Sequence, residues 1–469
     1  MLRSAWAVLL CAAAATACSS SAPPTVAAAS VDSPSVAART ASQPPACPAG
    51  STCRLVAANG GAETPAAFVA QCTGRFPDYV DLIPSNYTGR RFALSQDYPA
   101  AAPAVVTAPW LKIDFKTDAG AVQYMMALRE YVYAGMIEAD WQGEKNLVRK
   151  WYHVPWMTPG KRPREFVRGM TEERPLSGPE LGIKKGQTVQ NWAIGYYNDV
   201  GAVSLGAVFA NPSAPDPRKA PSAVGTVVAK VLFSAATAQD FEGADLLAGS
   251  TAWDANLISK RTPLEKKIGS VRLLQMDVAA RDPRAAETGW VFGTFAYDRN
   301  AKGANGWDKM VPVGLMWGSD PKRLPTATTP PEESRINAAA PAYALAHLGW
   351  ARRMNGPVDN PVSACLACHS TAQVPNVLTS MFPMRGCTDG QKLHWFRNLR
   401  GNQPFGAVSA SCQPQQPTGV VALDYSLQLS VALNAMASGE FVNPCGAGPG
   451  PRGAVPPLGK GQKVYDVIR

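Results

Sequence analysis

The chain is poor in histidine and, after its first residues, has no long apolar run. Only His153, His347, His369 and His394 are available in 469 residues, fewer than a zinc hydrolase would want. Beyond the opening segment no apolar stretch reaches the roughly 18–20 residues that cross a bilayer, so the mature body is expected to be soluble. A second C-x-x-C is also missing. Neither a Ser/His/Asp triad signal, nor a phosphate loop, nor a Rossmann fingerprint is visible. No internal repeat is visible either.

What is present is Cys365-Leu366-Ala367-Cys368-His369, the C-x-x-C-H pattern of covalent haem attachment. Two thiols two residues apart can form thioethers to the two vinyl groups of one porphyrin, and the next residue places an imidazole beneath the iron. The pattern therefore predicts one covalent haem c, with Cys365 and Cys368 as its anchors and His369 as an axial ligand. Because it occurs once, a multihaem wire is excluded. The competing readings are a chance match and a redox-active or zinc-binding C-x-x-C beside which His369 is a bystander.

The compartment favours haem. Residues 1–18, MLRSAWAVLLCAAAATAC, have a basic start at Arg3, an apolar run and small residues before Cys18, the layout of a secretory signal. The ending Ala15-Thr16-Ala17-Cys18 resembles a bacterial lipobox with Ala in place of the usual first Leu. Lipid on Cys18 would anchor the protein to a bacterial membrane at the periplasm or cell envelope; simple cleavage near Ala17 is the alternative. Residues 19–46, almost all Ser, Ala, Thr, Val and Pro, cannot bury enough apolar surface to fold and read as a disordered tether.

Of ten cysteines, Cys11 and Cys18 belong to the export segment and two to the haem motif, leaving Cys47, Cys53, Cys72, Cys387, Cys412 and Cys445. An even remainder in an exported chain predicts disulfides, within each cluster and with at least one bridge joining the two ends. A zinc site built from these cysteines is the alternative.

The pattern of the body predicts an α+β fold: a largely antiparallel β-sheet with helices near the N- and C-terminal ends and a C-terminal c-type haem segment. Residues 47–320 are read as a mixed helical and antiparallel β domain, and 321–469 as the haem-bearing segment packed on it. Apolar spacing over 117–139 predicts a helix, and its methionine and aromatic stripe reads as core packing. Alternation predicts strands at Trp192–Tyr197, Val203–Phe209, Thr226–Ser234, Val271–Val278, Gly289–Tyr297 and Val311–Trp317. Within the fourth, Leu274, Met276 and Val278 face one way while Gln275 and Asp277 face the other. The proline-rich stretch 321–341 is read as irregular, and helices are expected at 342–354 and at 424–438, the latter starting at Asp424.

Formal net charge is +10, with Lys145, Arg149, Lys150, Lys161, Arg162, Arg164, Arg168 and Arg174 close together, diluted by Glu165, Glu172 and Glu173. This is either a docking face for an acidic redox partner, an anionic lipid surface or an anionic ligand, or an ordinary solvated, salt-bridged face. Nucleic acid is not expected, since the chain is exported and matches no nucleic-acid module. The interleaved Trp141, Trp151, Tyr152, His153, Trp156, Phe166 and Trp192 are either a ligand-stacking surface or filling between the helical part and the sheet.

Several phrases carry a family resemblance. Lys150-Trp151-Tyr152-His153-Val154-Pro155-Trp156-Met157, Thr288-Gly289-Trp290-Val291-Phe292-Gly293-Thr294-Phe295, Val311-Pro312-Val313-Gly314-Leu315-Met316-Trp317-Gly318 and Asn355-Gly356-Pro357-Val358-Asp359-Asn360-Pro361, with the haem motif and Leu423-Asp424-Tyr425-Ser426-Leu427, resemble uncharacterised bacterial proteins of the cytochrome c family. The resemblance spans residues 120–440 and implies haem binding and electron transfer. The Gly225-Thr226-Val227-Val228-Ala229-Lys230 strand, Gly289-Trp290 and the late C-x-x-C-H are also similar to the β-sheet mono-haem cytochromes, the group of beta-type cytochrome c-prime and the hydroxylamine-oxidising enzymes with a lysine-linked haem. Those relatives imply an open iron position and a lysine such as Lys230 near the porphyrin; the strand alone reads Lys230 as facing solvent.

The group opposite His369 decides between carrier and catalyst. Met381, before Phe382-Pro383, is the preferred second axial ligand. Met384, Met436, His394 and an open site remain alternatives, because at about 3.3 Å per residue the chain can travel around a porphyrin edge from any of them. The leading expectation is an exported mono-haem c-type cytochrome that transfers electrons to a periplasmic or membrane partner. The alternatives are a haem enzyme or gas-binding protein acting on a small nitrogen compound, and a binding protein with a structural haem. No acid, base or nucleophile set identifies a reaction.

Overall fold

The computed structural model describes residues 71–445, apart from 80–82, 85, 156–163, 259–265, 286, 440, 442 and 444. The export segment, the tether, Cys47, Cys53, Trp156, Lys161 and Arg162 lie outside the described residues.

Helix α1 (Asp118–Tyr133) is capped by Thr117, whose side chain accepts from the Gly120 N–H, and buries Tyr124, Met125, Leu128 and Val132. A cap of this kind contributes about 1 kcal/mol. Then come β1 (Trp151–Tyr152), β2 (Thr171–Glu172), a hairpin of β3 (Leu176–Ser177) and β4 (Thr188–Val189), β5 (Asn191–Asn198) and α2 (Asp199–Val208). The remaining sheet strands are β6 (Val227–Ser234), β7 (Ala252–Ile258), β8 (Lys266–Arg281), β9 (Trp290–Tyr297), β10 (Met310–Met316) and β11 (Ser334–Ile336). The main sheet runs β1-β5-β6-β8-β9-β10-β11, with β2 also on β5 and β7 also on β8, and each pairing is antiparallel. The architecture is thus α+β with a mostly antiparallel sheet, as expected.

Side chains alternate across a strand, and both faces of this sheet are covered. From β9, Val291, Phe295 and Tyr297 join a core with Met125 and Leu128 of α1. Trp290, Phe292 and Ala296 from the same strand join a second core with Leu366, Ala367 and Trp395. That second core belongs to the C-terminal segment: α3 (Ala342–Leu345), α4 (Cys365–His369), β12 (Gln373–Val374), α5 (Asp389–Lys392), the β13 (Ala407–Val408) and β14 (Pro414–Gln415) pair, β15 (Val421–Ala422) on β12, and α6 (Leu427–Ala437).

Three local expectations need correction. Val203–Phe209 lies largely in α2 and forms no strand: Asn198 ends β5 and accepts from the Gly201 N–H, starting a helix at Asp199 whose Val200, Leu205 and Val208 are buried at helical spacing. The helix expected at 342–354 is reduced to α3 and a single 3-10 turn at Trp350–Arg352, because Ala351 and Arg352 adopt φ of 55° and 64°. Helix α6 begins after Ser426, whose hydroxyl accepts from the Leu429 N–H, and not at Asp424. Strand β7 was not anticipated, nor was β11, which lies in the stretch 321–341 read as irregular and pairs with β10.

The aromatic stretch is core: Trp141, Trp151, Phe166 and Trp192 are each at most 2% exposed. The basic stretch is largely satisfied internally. Buried Arg164 donates to the Gly169 and Val154 carbonyls, Arg149 to the Tyr131 carbonyl, and Arg168 pairs with Asp140. Lys145 and Lys150 stay exposed. Disulfides Cys72–Cys445 and Cys387–Cys412 tie the two ends and brace the C-terminal segment. Among the described residues no helix is long and apolar enough to cross a membrane.

Candidate functional site

Helix α4 follows a loop built on Gly356, where a Cβ would sit 2.2 Å from the Gln275 amide nitrogen. The Gly356 N–H donates to Asp359 Oδ2 at 2.9 Å, and the Cys365 N–H to the Met354 carbonyl at 3.3 Å. Leu366 and Ala367 are fully buried in the second core. Their burial turns Cys365, Cys368 and His369, at i, i+3 and i+4, to the other side of the turn, where all three line a cleft with a cavity volume of about 270 Å³.

The cleft floor is a row across the sheet. Register places Gly195 beside Lys230, Lys230 beside Asp277, and Asp277 beside Thr294. Gly195 matters because α6 crosses it closely: a Cβ there would lie 1.7 Å from the Gln428 side-chain nitrogen. Apolar Val228, Leu232 and Phe292 flank the row, and Leu378, Met381 and Phe382 line another side.

Several titratable groups in the cleft are displaced from their ordinary state. His369 Nδ1 lies 2.8 Å from the Tyr425 carbonyl, so the ring takes the Nδ1–H tautomer and donates. Burial, against the opposing effect of that bond, pulls its pKa down to about 4, which keeps the imidazole neutral. Its Nε2 is then a free lone pair, and Phe292 packs on the ring with centroids 4.7 Å apart. Burial pushes the Cys365 thiol up, and pushes Cys368 up to about 12 with Asp359 adding to the shift. Lys230 makes a 3.0 Å ion pair with Glu173; burial opposes its charge, but Glu173, Asp277 and Asp359 together outweigh it and hold the ammonium protonated. Asp277 is raised by burial and by Asp359, while Lys230 and hydrogen bonds from Thr294 (2.7 Å) and Gln275 (2.8 Å) oppose the shift.

No protein-family model, curated protein or solved structure matches this chain. The donor set of the cleft must therefore be judged on its own chemistry. Among the described residues, Cys365 and Cys368 are the free cysteines, whereas Cys72, Cys387, Cys412 and Cys445 are in disulfides. Two free thiols and one neutral imidazole with a fixed tautomer, above an apolar-flanked floor, fit a porphyrin held by two thioethers and one axial nitrogen. Among the described residues, no three His, Cys, Asp or Glu side chains gather as a metal-ion site.

Of the second-ligand candidates, Met381 lines the cleft at 7% exposure. Met384 and Met436 pack at the edges of the two cores instead. His394 is outside the cleft wall, edge-on to Phe405 with its buried Nε2 unpartnered. His153 is a core histidine whose Nδ1 accepts from the Ser95 N–H at 3.1 Å. Lys230, read from its strand as solvent-facing, points into the cleft. The residues that sequence reasoning missed are Glu173, Asp359, Tyr425 and the role of Asp277. The one available signal was a carboxylate in mid-strand at Asp277, which alternation placed opposite Met276 but could not surround.

Proposed function

We propose that this protein is an exported mono-haem c-type cytochrome that transfers electrons, a member of the cytochrome c family its motifs resemble. The single observation that carries the reading is that the two free described thiols and the Nε2 lone pair of His369 open on one cleft. When bound, haem would supply one-electron chemistry at its iron. Cys365 and Cys368 would anchor it, His369 would ligate it, and Tyr425 would hold that imidazole in the donating tautomer. Apolar Phe292, Leu378 and Met381 would restrict water around the group, favouring the less charged iron state, and Met381 is the proposed second axial ligand. The signal-like start and Cys18 support a periplasmic, lipid-anchored setting with a redox partner.

Replacing Cys365 and Cys368 with alanine is expected to abolish covalent haem, measured as colour that stays with the denatured chain. Covalent haem persisting in the double variant would overturn the assignment. A second reading, a gas-binding protein or haem enzyme, draws support from the Lys230–Glu173–Asp277–Asp359 cluster, since hydrogen-bonding groups that line a cleft beside a porphyrin can serve a small polar ligand. Ready CO or NO binding by the reduced protein favours it; a low-spin spectrum indifferent to both gases favours the carrier.

A further inference from the structure

We infer that Asp424 is a positioning residue for His369: its carboxylate holds the Asp424-Tyr425 turn in place so that the Tyr425 carbonyl fixes the imidazole. This rests on the reading of His369 as an iron ligand.

Asp424 and Tyr425 are consecutive non-glycine residues in the left-handed region, with φ of 46° and 67°. Side chains disfavour that region, and such a conformation persists only where its surroundings over-determine it. The surroundings here converge on one carboxylate, 3% exposed. Asp424 Oδ1 accepts from Trp290 Nε1 at 3.0 Å and lies 3.9 Å from Arg281 Nη1; Oδ2 accepts from the Ser222 N–H at 2.7 Å. The Asp424 N–H donates to the Gly401 carbonyl at 3.1 Å, and the Tyr425 hydroxyl to the Leu399 carbonyl at 2.6 Å. Gly401 leaves the room this requires, since a Cβ there would be 1.9 Å from Asp424 Oδ1. The turn is also laced to the haem segment by the Leu423 N–H, which donates to the Ala372 carbonyl at 2.9 Å.

The consequence is chemical as well as geometric. A firm Nδ1–H···O=C bond makes the imidazole a stronger donor to a metal at Nε2 and fixes the ring plane. Releasing the Tyr425 carbonyl would weaken that donation, destabilise the oxidised iron and raise the midpoint potential. Removing the Asp424 charge would raise the potential too, so the two causes must be separated.

The test uses the full haem-loaded chain as wild type, Asp424→Ala, Asp424→Asn and Gly401→Ala. It reads the midpoint potential and, by NMR of protein labelled with ¹⁵N-histidine, solvent exchange of the His369 Nδ1 proton. Gly401→Ala keeps every charge but displaces the carboxylate, while Asp424→Asn loses the charge, keeps one of the two acceptor oxygens and tolerates a left-handed backbone. The expected result is a raised potential with roughly tenfold faster exchange in Asp424→Ala and Gly401→Ala, and a smaller rise in exchange in Asp424→Asn, which retains one of the two hydrogen bonds. Unchanged exchange in Gly401→Ala or Asp424→Ala, whatever the potential does, overturns the inference in favour of a pure charge effect. Should Asp424→Ala fail to accumulate, Gly401→Ala decides by the same criterion against Asp424→Asn. A wild type without covalent haem would instead bring down the haem reading, and this inference with it.

Discussion

The two faces of the main sheet are built from the same strands and do opposite things. On the face toward α1, Phe233 stacks on Trp253 with centroids 4.2 Å apart and Trp141 and Trp307 lie 4.5 Å apart, with the Arg168 guanidinium over Trp253 and the Asp282 carboxylate sealed against Tyr124 of α1. One residue along the strand from buried Val231, Lys230 faces the other way, into a cleft with Asp277 and Thr294. The closed face spends its side chains on burial, at about 25 cal/mol per Å² of apolar area. The open face instead holds its charge where solvent reaches it, since the paired Lys230 and Glu173 side chains are 30% and 23% exposed beside Asp277 in the cleft.

That contrast can be broken by mutation. Phe233→Ala, on the closed face, should cost about 3–5 kcal/mol in denaturant unfolding and leave the spectrum of the proposed haem unaltered; a spectral change on the scale of the stability loss would show that the faces are coupled. Asp277→Asn tests the open face. Because burial and Asp359 raise the Asp277 pKa above the unfolded value, about 3.9, the folded state holds a proton that the unfolded state releases between those two values. Stability from this group therefore falls as pH rises through that window. The asparagine variant should flatten the fall, seen as a smaller difference between denaturation midpoints measured on either side of the window, and an unchanged pH profile would mean that Asp277 is not strained. The smallest effect is expected from Thr117→Ala, which removes only the α1 cap and should lower stability by about 1 kcal/mol with no change at the cleft.

Strands were legible where both signals agreed. β5, β6, β9 and β10 fall within a residue or two of the expected ranges because alternation and Val/aromatic content persist even when both faces are buried. Val203–Phe209 misled because its valines and phenylalanine carry strand propensity, whereas the deciding interaction is a single cap from Asn198 to the Gly201 N–H. The same limit applied at Asp424, an acceptable helix start by residue type, whose carboxylate is engaged by Trp290 and Ser222 from elsewhere in the chain.

By itself, the sequence determined the spacing of Cys365, Cys368 and His369, and the helical turn that puts residues at i, i+3 and i+4 on one side came from the structure. It also determined, through period two, that Gln275 and Asp277 point away from Met276. Tertiary structure alone decided what those residues meet. The Tyr425 carbonyl that sets the His369 tautomer, and the Lys230 and Asp277 that share the cleft with the two thiols, come from segments far apart in the chain. Their meeting depends on sheet register and on the packing of α4 and α6 over one face, and register is a property of paired strands that no single segment carries.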